Sequence, residues 1–361
     1  MTLFAVGRPY EEVALESDET MLLAGTTNLR RHLHAGVTTT RDNASRNVLG
    51  FALKSATSRG LIEAPRLLVS GRPVTKPGGR FFWCNGEAET CEDIEAVITR
   101  LVQEGADHIK IMASGKGTKG TDPRAVTYSL EELKRAERTT HAFERLTIAH
   151  CRALESMTRA AEAGIDCIEH AEFLRPDGTM TYDKATAESL LASGKFVSPT
   201  VSAWHWDSVL RLRRSVEEGS ATPAGRRQLS KLERDVGAVL ATFNAMLSDG
   251  LRERIVGGTD AGCFDVTVGH MDYTMELMVA GGMTEMQTIK ACTSVVTRAV
   301  GLEGHVGAIA VGAYADLVVL GQNPIEDSSA VNDIVGVCQG GSWILKPPRA
   351  DNVIDITQGS R

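Results

Sequence analysis

The chain nowhere approaches the roughly 18 uninterrupted apolar residues that a membrane-crossing helix requires. It has no surplus of positive charge: 39 Lys and Arg stand against 46 Asp and Glu, a formal charge of −7. Nucleic acid and anionic membrane surfaces favour a positive face, so neither is an expected partner. The seven cysteines are odd in number, widely spaced and without a CxxC. That speaks against a disulfide framework and for a reducing, cytoplasmic setting. The opening stretch, MTLFAVGRPYEEVALE, turns acidic before a long apolar run can form, so it reads as a poor signal peptide. Nucleotide signatures are missing too, with no GxGxxG and no GxxxxGK[ST]. The run SGKGTKG at 114–120 shares only the composition of a phosphate loop.

What is present is an ordinary globular mixture, 42% hydrophobic and 24% charged, which excludes a disordered chain. Short β-branched runs at 37–41, 66–70, 108–112, 146–149, 166–168, 196–200 and 254–258 read as seven strands. Between them lie helical stretches at 92–104, from Ser129 to about Phe143, at 153–163, 224–247 and 284–300. Ser129 and Glu132 have capping-box spacing. The strands are apolar without clean alternation, as expected where helices cover a parallel sheet. Polar residues cluster at the ends of several strands, which favours a closed (β/α) barrel over a doubly wound sheet. After Ala299 the texture turns to Gly and β-branched residues, with strands expected at 315–320, 333–339 and 343–345.

Four polar residues stand within or at the end of expected strands: Lys110, His150, His170 and Asp260. In a barrel such ends converge on one mouth. Imidazole and carboxylate suit zinc and similar divalent ions. A lysine amine becomes an oxygen ligand only if carbon dioxide converts it to a carbamate, which can bridge two ions. Taken singly, each residue also fits a structural role. His150 and His170 lie one βα unit apart, and it is this pairing that points to a metal.

With these residues come AGVTTTRD (35–42), DHIKIMASG (107–115), TDP (121–123), IAH (148–150), AGIDCIEHAEF (163–173), GGTDAG (257–262), MELMVAGGMT (275–284) and VGAIAVGAYADLVVLGQNP (306–324). The ordered set resembles the metal-dependent amidohydrolase superfamily, on the branch of Xaa-Pro dipeptidase-like and imidazolonepropionase-like enzymes. The resemblance implies an α/β fold, a (β/α)8 TIM-like barrel with a small β-sandwich. It implies carboxylated Lys110, His150 and His170 as metal ligands, and Asp260 touching the metal as general base and then general acid. One or two divalent ions, most simply zinc, would serve hydrolysis of a small amide, dipeptide, N-acyl amino acid, carbamate or lactam. A homo-oligomer is compatible with this reading.

The chain departs from the pattern twice. A strand ending in His-x-His should open the barrel, and none precedes AGVTTTRD. The one local match, His32-Leu33-His34, lies in a stretch that reads as helix, where residues two apart point about 200° apart. The expected architecture is therefore a barrel over 1–305 lacking or substituting its first strand, and a β-sandwich remnant with tail over 306–361. MTLFAVG is one substitute strand; a truncated or reassigned start, loss of the element, or pairing with another chain are others. The second departure is GRPVTKPGGR at 71–80, where the branch often carries Gly-Gly-His. Arg80 there is a candidate for a substrate carboxylate. Lys116, His205 and His270 are further substrate candidates, and the Trp204-His205-Trp206 run suits a pocket wall. The competing function is an inactive relative that serves as a binding or assembly module.

Overall fold

The computed structural model describes residues 2–5, 7–115, 118–203, 205–262 and 266–348. Helices α1 (Tyr10–Val13) and α2 (Asp18–His34) precede the first strand. Then strands and helices alternate: β1 (Thr39–Asp42), α3 (Leu49–Ser58), β2 (Arg66–Val69), α4 (Cys91–Gln103), β3 (His108–Met112), α5 (Leu130–Ala142), β4 (Leu146–Ala153), α6 (Leu154–Glu162), β5 (Cys167–Leu174), α7 (Lys184–Ser193) and β6 (Phe196–Ser198). Five helices follow: α8 (Trp206–Glu217), α9 (Pro223–Ser248), α10 (Met271–Ala280), α11 (Glu285–Cys292) and α12 (Ser294–Ala299). The antiparallel strands β7 (Leu317–Leu320), β8 (Ile334–Gln339) and β9 (Ser342–Leu345) come last.

The first six strands are parallel, as the βα alternation predicts. β1 pairs with β2, and β3 to β6 pair in sequence order. The two pieces meet through the Asp107 amide on the Val69 carbonyl (2.9 Å) and a bridge between Val74 and Ile111. β3 is buried along its whole length, and β4 and β5 at all but one residue each. Strands covered on both faces need apolar residues at successive positions, which is why their sequences lack alternation. The main core packs Ile94, Ile98 and Leu101 of α4 against Ile109 and Ile111 of β3.

Local signals account for several helix starts. Ser129 and Glu132 form the anticipated capping box on α5, and Thr90 with Asp93 and Thr284 with Gln287 do the same on α4 and α11. Helices α1, α3, α7 and α8 were not foreseen. The helix expected over 284–300 is two helices, broken at Thr293 (φ −127°, ψ −94°). Its hydroxyl donates to the Ile289 carbonyl at 2.6 Å, a local alternative to the backbone ladder. The strand expected at 254–258 is reduced to one bridge, Val197 to Ile255. The Gly257 amide turns away to the Ala291 carbonyl at 3.1 Å, so the ladder stops.

His32 and His34 lie in the last turn of α2, as the helical reading requires. His32 is buried, and burial pulls its pKa down to about 4. His34 pairs with Glu63 at the surface. Residues 2–4 form a 3-10 turn rather than a strand, and Leu3 and Phe4 enter a second core cluster beside Met21 and Leu29 of α2. The small sheet is tied to the first strands: the Gln339 side chain donates to the Thr38 carbonyl (2.8 Å), and Arg66 pairs with Asp316 (2.7 Å). Among the described residues, no helix is long and apolar enough to cross a membrane.

Candidate active site

A cavity of about 700 Å³ opens at the ends of the strands. Lys110, His150, His170 and Asp260, far apart in sequence, all line it. Each is carried there by its strand or by the turn after it. Lys110 is central in β3, with Ile109 and Ile111 on the opposite, core-facing side. His150 is in β4, paired in register with Glu169 of β5. His170 has φ +71°, followed by Ala171 at +47°. This interrupts the alternation of β5, so Glu169 and His170, neighbours in sequence, both reach the cavity.

The two imidazoles lie side by side, ring centroids 4.4 Å apart at 70°. His150 Nε2 donates to the Gly115 carbonyl at 3.2 Å, which fixes that proton and leaves Nδ1 as the ring's lone-pair nitrogen. His170 Nδ1 is bonded to the Thr200 hydroxyl at 2.8 Å. Burial, reinforced by the positive Arg80, holds the His150 pKa well below its ordinary value, so the ring is neutral.

Asp260 follows Gly257-Gly258-Thr259. A Cβ at Gly257 would stand 2.4 Å from Cys292 Sγ, and one at Gly258 2.6 Å from Ser198 Oγ. A larger residue at either position would push the Cys292 or Ser198 side chain aside. Asp260 itself adopts φ +52°. Burial raises its pKa, against the opposing charges of Arg80, Lys110 and Arg152.

Lys110 is 3% exposed and its amine donates to Glu169 Oε2. Arg41 lies 3.6 Å from Glu169 Oε1, which also accepts from the Asn43 amide. Because that amide nitrogen faces Glu169, Asn43 Oδ1 faces His108 Nε2 at 2.9 Å, and His108 donates. Burial and then Arg41 lower the Lys110 pKa to about 7. A second buried pair, Arg152 with Glu172, stands on the next stretch of β4 and β5.

Arg80 is 7% exposed and lines the cavity. Its guanidinium lies 4.4 Å from the Phe81 ring centroid and 5.6 Å from that of Tyr10. Its Nε and Nη1 atoms are buried with no hydrogen-bond partner among the described residues. His205 is exposed at the start of α8 and does not line the cavity. His270 stacks on Tyr273 (4.4 Å between centroids, 11°), bonds Asp272 Oδ1 at 3.2 Å and likewise does not line it. Lys116 and Trp204 lie outside the described residues.

Sequence reasoning missed Arg41, Asn43, His108 and Glu169. RD in AGVTTTRD and the Glu of IEH were available signals, since each places charge on a strand. The donors whose chemistry suits a divalent ion are two adjacent imidazoles, His150 neutral with its Nε2 tied back and His170 tied back at Nδ1. Among the described residues no three His, Cys, Asp or Glu side chains are grouped to hold a metal.

A parallel strand–helix alternation with histidines, a lysine and an aspartate gathered at the strand ends defines a hydrolase-type α/β fold of the amidohydrolase and TIM-barrel superfamily. The chain matches the Amidohydrolase family over residues 2–344 and belongs to it. It is thus a member of an enzyme family. Among solved structures it is similar to a Xaa-Pro dipeptidase with bound methionine in the active site, at 22% identity and TM-score 0.78, covering 95% of this chain and 84% of that one. It is similar to a prolidase complexed with N-methylphosphonate-L-proline, at 24% identity and TM-score 0.75, covering 95% and 84%. It is also similar to A. niger ochratoxinase, at 21% identity and TM-score 0.76, covering 95% and 80%. At these identities the likeness carries the fold alone. No curated protein matches the chain.

Proposed function

We propose that this protein hydrolyses a carbon–nitrogen amide-type bond in a small molecule that carries a carboxylate, such as a dipeptide or an N-acyl amino acid. The observation that carries this reading is the pair His150 and His170, each fixed by a hydrogen bond at one nitrogen, beside the half-buried Asp260 in one cavity. The architecture we propose is a barrel over 1–305 that lacks or substitutes its first strand, and a β-sandwich remnant with tail over 306–361.

His150 and His170 would hold one divalent ion, most simply zinc. Such an ion supplies Lewis acidity, activating water and polarising a carbonyl. The chain's own residues do the rest. Asp260 takes a proton from the attacking water. It then returns a proton to the leaving nitrogen, because amines leave badly as anions. Its raised pKa suits both tasks: the ionised carboxylate is a stronger base than an exposed one, and the acid form persists closer to neutral pH. Arg80 binds the substrate carboxylate and fixes the amide against Asp260; its unsatisfied N–H atoms support this role. Dipeptides and N-acyl amino acids are favoured over carbamates and lactams because only they bring the matching anion as a rule.

The test is a screen of dipeptides and N-acyl amino acids with purified protein, with and without added zinc or manganese. Turnover that chelation removes, metal restores and Asp260→Asn abolishes is the expected result. Full turnover by the Asp260→Asn protein would refute the mechanism. Carboxylate ligands bound without turnover under any metal would favour a binding module.

A further inference from the structure

Arg80 sits in the loop between β2 and α4, and the residue after it is held in an unusual conformation. Phe81 has φ +57° and ψ +30°, the left-handed region that bulky side chains disfavour. The same loop meets the same backbone demand with glycine at position 78, where φ is +68°. Glycine at 81 would relieve the strain there too, and what it would remove is the ring. That ring has its centroid 4.4 Å from the Arg80 guanidinium, and both side chains line the cavity. We propose that Phe81 is a positioning residue: its strained turn sets the ring against Arg80 and aims the guanidinium at the substrate carboxylate. The proposal rests on the reading of Arg80 as the carboxylate-binding group.

Packing by itself does not call for this arrangement. Phe81 is 4% exposed and belongs to the core cluster that holds Tyr10 and Met112. A core position can be filled from unstrained backbone, so burial does not account for the positive φ. Direction does. Neighbouring side chains on extended backbone point to opposite faces, whereas Arg80 and Phe81 reach the same cavity. The turn is fixed at both ends of the residue: the Phe81 amide donates to the Thr118 hydroxyl at 3.1 Å, and the Phe81 carbonyl accepts from the Cys84 amide at 2.8 Å. The ring is fixed as well, by edge-to-face contacts with Tyr10 (4.8 Å between centroids, 74°) and Trp83 (5.6 Å, 75°). Since the guanidinium also lies 5.6 Å from the Tyr10 ring centroid, two rings set nearly at right angles bound it. They attract the cation without taking up its N–H groups, and Nε and Nη1 are left without an acceptor among the described residues. A guanidinium oriented by its faces keeps its N–H edges for a planar carboxylate; a lysine ammonium could not be oriented in this way.

The test compares binding of 3-phenylpropanoate and 3-phenyl-1-propanol, which share an apolar body and contain no C–N bond to cut. Calorimetry on the full chain gives both dissociation constants, and their ratio reads the carboxylate separately from the fit of the body. The wild-type chain should bind the acid about tenfold more tightly than the alcohol, or better. Phe81→Leu keeps an apolar core side chain but removes the ring face, and should cut that preference about fivefold. Thr118→Val leaves the ring and removes the acceptor of the Phe81 amide; it should cut the preference about two- to threefold, and it decides the matter if Phe81→Leu does not fold. Acid and alcohol losing affinity together in Phe81→Leu, or an unchanged preference in Thr118→Val, would mean that the ring only fills space and would overturn the proposal. Arg80→Met separates this from the reading beneath it. If Arg80→Met abolishes the preference and the other two variants keep it, the positioning role alone fails. If Arg80→Met keeps the preference, or the wild-type chain shows none, Arg80 is not the carboxylate group and both readings fail.

Discussion

Arg80→Met should make the protein more stable and less able to handle a carboxylate. Arginine here is a buried cation whose Nε and Nη1 find no acceptor among the described residues. Each orphaned buried N–H costs about 1–3 kcal/mol relative to its hydration in the unfolded chain. Methionine has similar length and reach, so contact with Phe81 and Tyr10 is retained. The loss is the cation–π attraction to those rings, about 0.5–2 kcal/mol, and a positive neighbour for Asp260. The balance is a gain of roughly 1–4 kcal/mol, less the lost positive neighbour of Asp260, measurable as a higher urea midpoint with unchanged slope. Function should move the other way. A charge-assisted hydrogen bond contributes about 1.5–3 kcal/mol, so kcat/KM for an N-acyl amino acid should fall about 10- to 100-fold. The corresponding methyl ester should be hardly affected. Without Arg80 the Asp260 pKa rises further, which moves the acid limb of the pH–rate profile to higher pH. An Arg80→Met protein destabilised by more than about 1 kcal/mol, or acid and ester substrates losing rate equally, would refute the reasoning.

Three further outcomes follow from the same geometry. Glu169→Gln leaves Lys110 and Arg41 facing each other without a buried carboxylate and should cost about 3–5 kcal/mol, whereas Lys110→Met leaves Glu169 its bonds to Arg41 and Asn43 and should cost less. Equal losses in urea titrations of the two would mean the pair is not the unit described. Gly258→Ala sets a methyl group against Ser198 Oγ and should cost about 1–3 kcal/mol, relieved in part by adding Ser198→Gly; strict additivity of the two changes would count against the contact. Asp166, beneath the strands, accepts from His141 Nε2 (2.7 Å), Lys195 Nζ (2.7 Å) and the Thr147 amide (2.9 Å). Burial works to raise its pKa, but the bonds from His141 and Lys195 outweigh that and hold it below the ordinary value. A lowered carboxyl pKa contributes stability above the ordinary carboxylate range that is lost as pH falls through the folded value. Asp166→Asn should therefore cost about 2 kcal/mol at pH 7 and much less in acid, so its stability profile is flatter; a pH-independent loss would exclude this account.

The strands β1 to β6 and the helices α4, α5, α6 and α9 were legible because their signals are local. Burial of successive residues, capping spacing and terminal glycines act within a few positions of the chain. The convergence of Lys110, His150, His170 and Asp260 on one cavity was legible for a related reason: parallel strands joined by helices bring their ends to the same side. The strand at 254–258 shrank to a bridge because a tertiary contact, Gly257 to Ala291, captured its amide.

What the linear sequence determined by itself was the βα order, the family pattern and the strand-end positions of its polar residues. What only the folded chain decided was who pairs with whom. Glu169 precedes His170, and regular alternation would send one of the two away from the cavity. The positive φ at His170 brings both in, and places Glu169 against a lysine 59 positions earlier. Arg80 acquires its unsatisfied N–H atoms, and His270 its stack on Tyr273, in the same way. Periodicity reports which side of an element is buried, but an ion pair depends on strand register and on single backbone angles, and neither is written in the spacing of residues along the chain.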